Sequence, residues 1–156
     1  MSTWFTMSAK PVAFQRLQLG LLLMGGQQWL TSSLLHLMAQ RGHGDLTTAH
    51  LMFLSNLDCG DTYASEVARR MGVTRQAVYR TTRELQRLKI LTLETDPTRK
   101  TQKVIRMTAH GQRVVGDARA CLDEIEAALQ LRIGERDLTE LAMVLSKEWG
   151  PPLGSD

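Results

Sequence analysis

Three small or apolar residues at fixed spacing, Ala68, Gly72 and Val78, constrain the fold of this 156-residue chain more than any other feature. A helix-turn-helix needs a small residue where its helices cross, a residue tolerant of positive φ in the turn, and an apolar residue in the second helix. The side chains expected to fill the shared core are those of Val67, Met71 and Val73. An ordinary helical hairpin has the same spacing, so a second observation must decide between the two.

The second helix of this motif supplies that observation. It is predicted to begin at a Thr74 cap and to end near Lys89. The residues predicted to face inward are Ala77, Val78, Thr81, Leu85 and Leu88. The outward face carries Arg75, Gln76, Tyr79, Arg80, Arg83 and Arg87. None of these is acidic, although Glu84 lies beside them, and a helix of this kind fits the major groove of B-DNA.

The outward side chains match the chemistry of DNA. Arg75 or Arg80 can bond guanine O6 and N7 bidentately, and Gln76 can do the same to adenine. Tyr79 can contact a thymine methyl group or a phosphate, and Thr74 can bond a phosphate at the helix N-terminus, where anions are attracted. The predicted DNA-binding residues of this helix are Thr74, Arg75, Gln76, Tyr79, Arg80 and Arg83.

Positive charge is concentrated in the same part of the chain. Residues 66–106 contain eleven basic and four acidic residues, a net charge of +7, whereas the remainder contains eight basic and twelve acidic residues, a net charge of −4. The formal net charge of +3 conceals this asymmetry, which is typical of chains that bind nucleic acid through one segment. The alternative is a solvated basic surface.

A β-hairpin is predicted after the basic helix. Residues 90–94 and 103–107 are rich in branched side chains and flank a turn that contains Pro97. Such a wing can lie over the minor groove, where the potential is most negative. The candidate contacts at its tip are Arg99, Lys100 and Lys103, with a solvated turn as the alternative for Lys103.

The rest of the chain is predicted to be helical around this lobe. Residues 14–40 follow a helical period with apolar residues on more than one face, so we expect this helix to be buried between elements or between subunits. Gly25-Gly26 suggests a kink or a close crossing within it. Further helices are predicted from Thr47 or Thr48 to about residue 57, over residues 63–72 with Ser65 as the cap, over 109–133 after a Thr108 cap, and over 136–149.

On these motifs the chain resembles the MarR family of bacterial winged-helix transcriptional regulators over about residues 14–149. The resemblance is carried by the helix-turn-helix of residues 68–91, by Leu46-Thr47 before a short helix, and by Met107-Thr108-x-x-Gly111. The last segment is similar to the family's Leu-Thr-x-x-Gly join between wing and dimer helix. One departure concerns the wing, because Arg99 and Thr101 stand where the family usually has Asp and Arg.

The resemblance implies a mainly α fold with a small β-wing, a winged helix-turn-helix plus N- and C-terminal dimerisation helices. Its predicted parts are a flexible arm (residues 1–13), an N-terminal dimerisation helix (14–45), the DNA-binding lobe (46–107), C-terminal dimerisation helices (108–150) and a tail (151–156). It also implies a homodimer at a pseudo-palindromic operator, commonly controlled by a small aromatic or phenolic effector. We expect a cytoplasmic repressor.

The candidate effector-binding residues are polar or aromatic side chains on otherwise apolar helices, expected between the first helix, the short second helix and the DNA-binding lobe. They are Gln28, Trp29, Ser32, His36 and His50. For a histidine such as His36, a place in the core or an interface is the alternative to ligand binding.

Other functions are less compatible with the sequence. The four histidines have no ligand spacing and neither cysteine lies in a C-x-x-C pair, so no metal is expected. Cys59 is a minor redox candidate. No catalytic constellation is present, so no enzyme is expected. The alternative function is a winged-helix protein-interaction adaptor that does not recognise DNA, which duplex binding insensitive to salt would favour.

Overall fold

The computed structural model describes residues 18–57, 62–96, 103–151 and 153–154. Within them the protein has six helices and three short strands. The helices are α1 (Gln18–Gln40), α2 (Thr48–Leu54), α3 (Ala64–Met71), α4 (Arg75–Arg87), α5 (Ala109–Ile133) and α6 (Glu135–Leu145). The strands are β1 (Thr62–Tyr63), β2 (Leu91–Thr95) and β3 (Lys103–Met107). The predicted flexible arm, Cys59 and the wing-tip residues Arg99 and Lys100 lie outside the described residues.

The strands form one antiparallel sheet in the order β1-β3-β2. The predicted hairpin is confirmed, with Leu93 opposite Ile105 in the pairing of β2 with β3. Strand β1 was not predicted, because two residues carry no alternating pattern; Thr62 pairs with Ile105 and Tyr63 with Val104. The sheet therefore links the start of α3 to the base of the wing.

Local capping chemistry fixes the helix boundaries. The hydroxyls of Thr47, Thr74 and Thr108 each accept a backbone N–H from the first turn of α2, α4 and α5, as predicted. Gly72 ends α3 with φ of 63°, also as predicted. The prediction of Ser65 as the cap of α3 is wrong, because the helix begins at Ala64 with Tyr63 as its N-cap, so Ser65 lies in its first turn.

The core joins the two helices of the helix-turn-helix to the sheet and to α5. Val67 of α3, Val78 and Leu85 of α4, Ile105 of β3 and Val114 of α5 are almost completely buried. Their burial fixes the orientation of α4 against the rest of the lobe.

The burial of two residues differs from the predicted core. Val73 was expected in the core but is 40% exposed, because it follows the Gly72 turn and lies outside both helices. Thr82 was not expected there but is fully buried, since its hydroxyl donates to the Val78 carbonyl oxygen at 2.8 Å and so leaves no free polar group.

The wing, the end of α4 and the start of α5 meet at one tight junction. The Thr108 N–H donates to the Ile90 carbonyl oxygen at 3.0 Å, and the Thr108 hydroxyl donates to the Lys89 carbonyl oxygen at 2.7 Å. A Cβ on Gly111 would lie 2.2 Å from the Ile90 carbonyl oxygen, so only glycine allows α5 to approach this closely. The Met-Thr-x-x-Gly segment is thus explained by backbone contact.

The outer helices present apolar side chains to solvent in the single chain. Leu21 and Met24 in the first half of α1 are 70% and 67% exposed, and α6 has no buried residue. The helix of α1 continues through Gly25 and Gly26, and nothing lies within 4 Å of a Cβ built on either, so no other described element crosses it closely there. None of the described helices is both long and apolar enough to span a membrane.

The other helix ends also differ from expectation. Helix α2 ends at Leu54 and α6 at Leu145, before the predicted residues 57 and 149. Trp149, beyond α6, is 64% exposed.

Candidate nucleic-acid interface

Helix α4 is held with one side in the core and the other on the surface. Val78, Thr82 and Leu85 form its buried stripe, and the Thr74 hydroxyl accepts the Ala77 N–H at 3.2 Å at its start. Residues three and four positions apart share a helix face, so the opposite face of α4 points outward as a unit.

The outward side of α4 borders an open depression of about 1030 Å³. Its lining residues are Thr74, Arg75, Gln76, Ala77, Tyr79, Arg80, Arg83, Glu84 and Arg87. All six residues predicted for the recognition helix are therefore brought to one surface. Arg87 was predicted on the outward face but not among those six contacts, although its spacing of four residues from Arg83 places it beside them.

The arginines of this surface have no acidic partner among the described residues, whereas four of the eight other described arginines do. Within the described residues, no ion pair is formed by Arg80, Arg83 or Arg87, nor by Arg75. Elsewhere Arg70 pairs with Glu66 at 2.6 Å, Arg106 with Glu94 at 2.8 Å, and Arg41 with Glu124. A cluster of like charges on one helix face is unfavourable unless an anion is bound, so this surface is suited to a polyanion.

Glu84, the one acidic residue of α4, is held by a partner on α2. Its Oε2 lies 3.0 Å from Nε2 of His50, which is 5% exposed. On the other side of the ring, His50 Nδ1 accepts the Thr47 N–H at 3.3 Å, and the His50 N–H donates to the Thr47 hydroxyl. His50 is thus part of a reciprocal cap on α2 and also joins α2 to α4.

The base of the wing is tied to the body of the lobe by polar contacts. The Tyr63 hydroxyl donates to Oδ2 of Asp96 at 2.6 Å, and Asp96 is 6% exposed. Lys103 is exposed at the start of β3, where its Nζ donates to the Thr95 hydroxyl at 2.7 Å. The structure therefore places Lys103 on the wing, next to the segment that contains Arg99 and Lys100.

The residues predicted to bind an effector are not gathered into one site in the single chain. Gln28, Trp29, Ser32 and His36 are exposed on α1, whereas His50 is buried against α4. The His36 ring lies 3.0 Å from the side-chain amide of Gln40 on its own helix. Trp29 faces α5, where the guanidinium of Arg132 lies 5.7 Å from the centre of the indole.

A second polar cluster joins the end of α1 to α5. Arg41 contacts both the Cys121 thiol and Glu124, and Nε2 of His43 lies 2.7 Å from Oδ2 of Asp117. Burial raises the pKa of the Cys121 thiol, and the positive charge of Arg41 opposes that shift. The thiol is therefore protonated at neutral pH, which does not suit a reactive cysteine.

Sequence comparison matches the chain to no protein-family model and to no curated protein. Solved structures do match its fold. A MarR-family transcriptional regulator from Rhodococcus sp. RHA1 has a TM-score of 0.67 at 19% identity, over 85% of this chain and 93% of that chain.

Two further solved structures were determined in studies of ligand or DNA binding. BpsR from Bordetella bronchiseptica, whose DNA binding is regulated by 6-hydroxynicotinic acid, has a TM-score of 0.62 at 19% identity, over 82% of this chain and 96% of that chain. A variant of S. aureus MepR bound to an oligodeoxyribonucleotide has a TM-score of 0.57 at 19% identity, over 85% and 94%. The chain therefore has a MarR-like winged-helix fold, as the sequence resemblance implied.

Proposed function

We propose that this protein is a transcriptional regulator that binds double-stranded DNA through α4 and the wing. The observation that carries the proposal is the cluster of arginines on the outward face of α4, which have no acidic partner within the described residues. The N-terminus of the same helix, which Thr74 caps, also favours a phosphate because the helix dipole and its backbone N–H groups attract anions. The MepR variant bound to an oligodeoxyribonucleotide has the same fold and supports this function.

In the proposed complex, α4 enters the major groove with its first turns against the base edges. Arg75, Gln76 and Arg80 contact bases, and Thr74 and Arg83 contact phosphates. Tyr79, which is 37% exposed, reaches a thymine methyl group or a phosphate. Arg99, Lys100 and Lys103 of the wing approach the neighbouring minor groove.

The proposed regulator is a homodimer formed by its outer helices. Helix α6 buries none of its residues in the single chain, although Leu141, Val144 and Leu145 are apolar and 44–51% exposed. Together with the exposed first half of α1, these side chains form apolar surface of the kind that a subunit interface covers. A two-fold dimer presents two copies of α4 to successive major grooves, which predicts a pseudo-palindromic operator.

The proposed regulation is repression that a small aromatic or phenolic effector relieves. The precedent among proteins of this fold is BpsR, whose DNA binding is regulated by 6-hydroxynicotinic acid. Gln28, Trp29, Ser32 and His36 are the proposed ligand contacts, because a partner subunit can enclose side chains that are exposed in the single chain. His50, which is occupied by Glu84, is the weakest member of the original set.

The test begins with DNA fragments that the purified protein selects from its own genome. Arg80→Ala is expected to weaken binding to the selected site by ~1–3 kcal/mol in a fluorescence-anisotropy titration. Arg119→Ala, which removes the same charge from an exposed site on α5, is the matched control and should bind as the wild type does. Equal affinities for all three proteins would contradict the assignment of α4.

Salt dependence separates this function from that of a protein-interaction adaptor. DNA affinity that falls steeply as the salt concentration rises indicates release of counterions from phosphates. Weak binding that does not change with salt would favour the adaptor.

A further inference from the structure

The single carboxylate of α4 lies where it can interfere with the proposed DNA contacts. Glu84 borders the same depression as the arginines of the helix. It follows Arg80 by four residues and precedes Arg87 by three, and these are the two spacings at which oppositely charged side chains pair on a helix. An unrestrained Glu84 would therefore compete with DNA for both arginines.

The structure shows a different partner for this carboxylate. Glu84 Oε2 lies 3.0 Å from Nε2 of His50, and no ion pair joins Glu84 to Arg80 or Arg87 in the described part of the chain. His50 belongs to another element, 34 residues earlier in the sequence, so the contact depends on how α2 packs against α4.

The orientation of the His50 ring is set from its other side. Because Nδ1 accepts the Thr47 N–H, the neutral ring carries its proton on Nε2 and donates it to Glu84. The ring is buried and belongs to the cap of α2, so it has little freedom to turn away. This arrangement holds Glu84 toward α2.

We propose that His50 is a positioning residue that keeps the Glu84 carboxylate away from Arg80 and Arg87, and so keeps both arginines available to DNA. The inference rests on the proposed function of α4. The proposal gives His50 a role in DNA binding. The sequence had suggested instead that His50 contacts an effector.

His50→Asn is designed to break only the contact with Glu84. The Asn carbonyl oxygen takes the place of Nδ1 and can still accept the Thr47 N–H, whereas the shorter side chain lacks a group at the position of Nε2. In H50N, each Glu84 can pair with two arginines and so compete with DNA for both. Each such pair is expected to weaken DNA binding by a factor of about 1.8. The four pairs in a dimer thus multiply to roughly tenfold weaker DNA binding.

The decisive measurement is whether the effect requires the charge of Glu84. Glu84→Gln removes the charge but retains an oxygen that can accept from His50, so by itself it should change affinity by less than about twofold. The double variant H50N/E84Q should bind within about twofold of E84Q. His50→Gln, whose side-chain amide can donate from the position of Nε2, should bind DNA as tightly as the wild type does.

Two results would overturn the proposal. One is an H50N protein that binds DNA as tightly as the wild type, and the other is an H50N/E84Q protein that remains as weak as H50N. The second result would mean that His50 acts only through the folding of α2. A wild-type protein without salt-dependent DNA binding would instead refute the proposed function, so the two failures are distinguishable.

A further variant covers the case in which H50N does not fold, as judged by a thermal melt. Glu84→Asp leaves His50 and the cap of α2 unchanged, and its shorter carboxylate can still pair with helix neighbours but no longer reaches the imidazole. Binding about threefold weaker than wild type is expected, and unchanged binding would overturn the proposal.

Discussion

Gly111→Ala provides a direct test of the junction that sets α5 against the wing. An alanine Cβ at this position would lie 2.2 Å from the Ile90 carbonyl oxygen and 2.8 Å from Cγ of Met107. The methionine side chain can turn away, but the carbonyl belongs to the backbone. Helix α5 must therefore shift by about 1 Å to restore van der Waals separation.

The expected cost is built from two effects. Overpacking of a fixed backbone contact costs about 1–3 kcal/mol. The same shift strains the 3.0 Å hydrogen bond from the Thr108 N–H to the Ile90 carbonyl oxygen, whose loss costs about 1 kcal/mol. The higher helix propensity of alanine offsets up to ~1 kcal/mol of this cost, which leaves a net loss of about 1–3 kcal/mol in the free energy of unfolding.

The assay is chemical denaturation at fixed protein concentration, since the proposed dimer would gain stability with concentration. Gly116→Ala is the matched control, because it lies in the same helix, is exposed and has no atom within 4 Å of a built Cβ. This control should gain about 0.5–1 kcal/mol. If both variants shift stability in the same direction by similar amounts, the contact at Gly111 does not determine the packing of α5.

Three further predictions concern the cap of α4, the base of the wing and the buried thiol. Thr74→Ala removes the acceptor of the Ala77 N–H and should cost about 1 kcal/mol of stability by denaturation; Thr74→Ser, which retains the oxygen, should lose much less. Tyr63→Phe deletes the donor to the buried Asp96 carboxylate and should cost about 1–3 kcal/mol, and an unchanged midpoint would show that the contact is dispensable. Because burial raises the pKa of Cys121, the folded state holds the thiol proton more strongly than the unfolded state does. The resulting contribution to the free energy of unfolding is fully present below the ordinary thiol pKa and is lost as the pH rises through the pKa of the folded state. Alkaline titration should show that loss in the wild type and a smaller one in Cys121→Ala, and equal slopes would contradict it.

The structural features that the sequence predicted are those with local causes. Thr74 and Thr108 cap helices because each oxygen meets an N–H three residues later. Gly72 ends α3 because glycine readily adopts the left-handed conformation that stops a helix. The outward set of α4 follows from helical periodicity alone. These relations span only a few residues, and so they can be recognised without the tertiary fold.

Other features required the packing of distant segments. Strand β1 forms only because β3 lies beside it. Thr82 is fully buried because α2, α3 and β2 pack against α4. The same holds for the candidate site, where His50 resembled a ligand contact in sequence but packs against Glu84 of α4.

The sequence by itself thus determined the order of the helices and hairpin, the caps and the basic face of α4, because each depends on spacing along the chain. Only the tertiary structure decided which charges have partners. Glu84 is paired with His50, whereas Arg80 and Arg83 have no acidic partner in the described residues. Ion pairs depend on distances of a few ångströms between side chains, and packing sets those distances between residues far apart in the sequence.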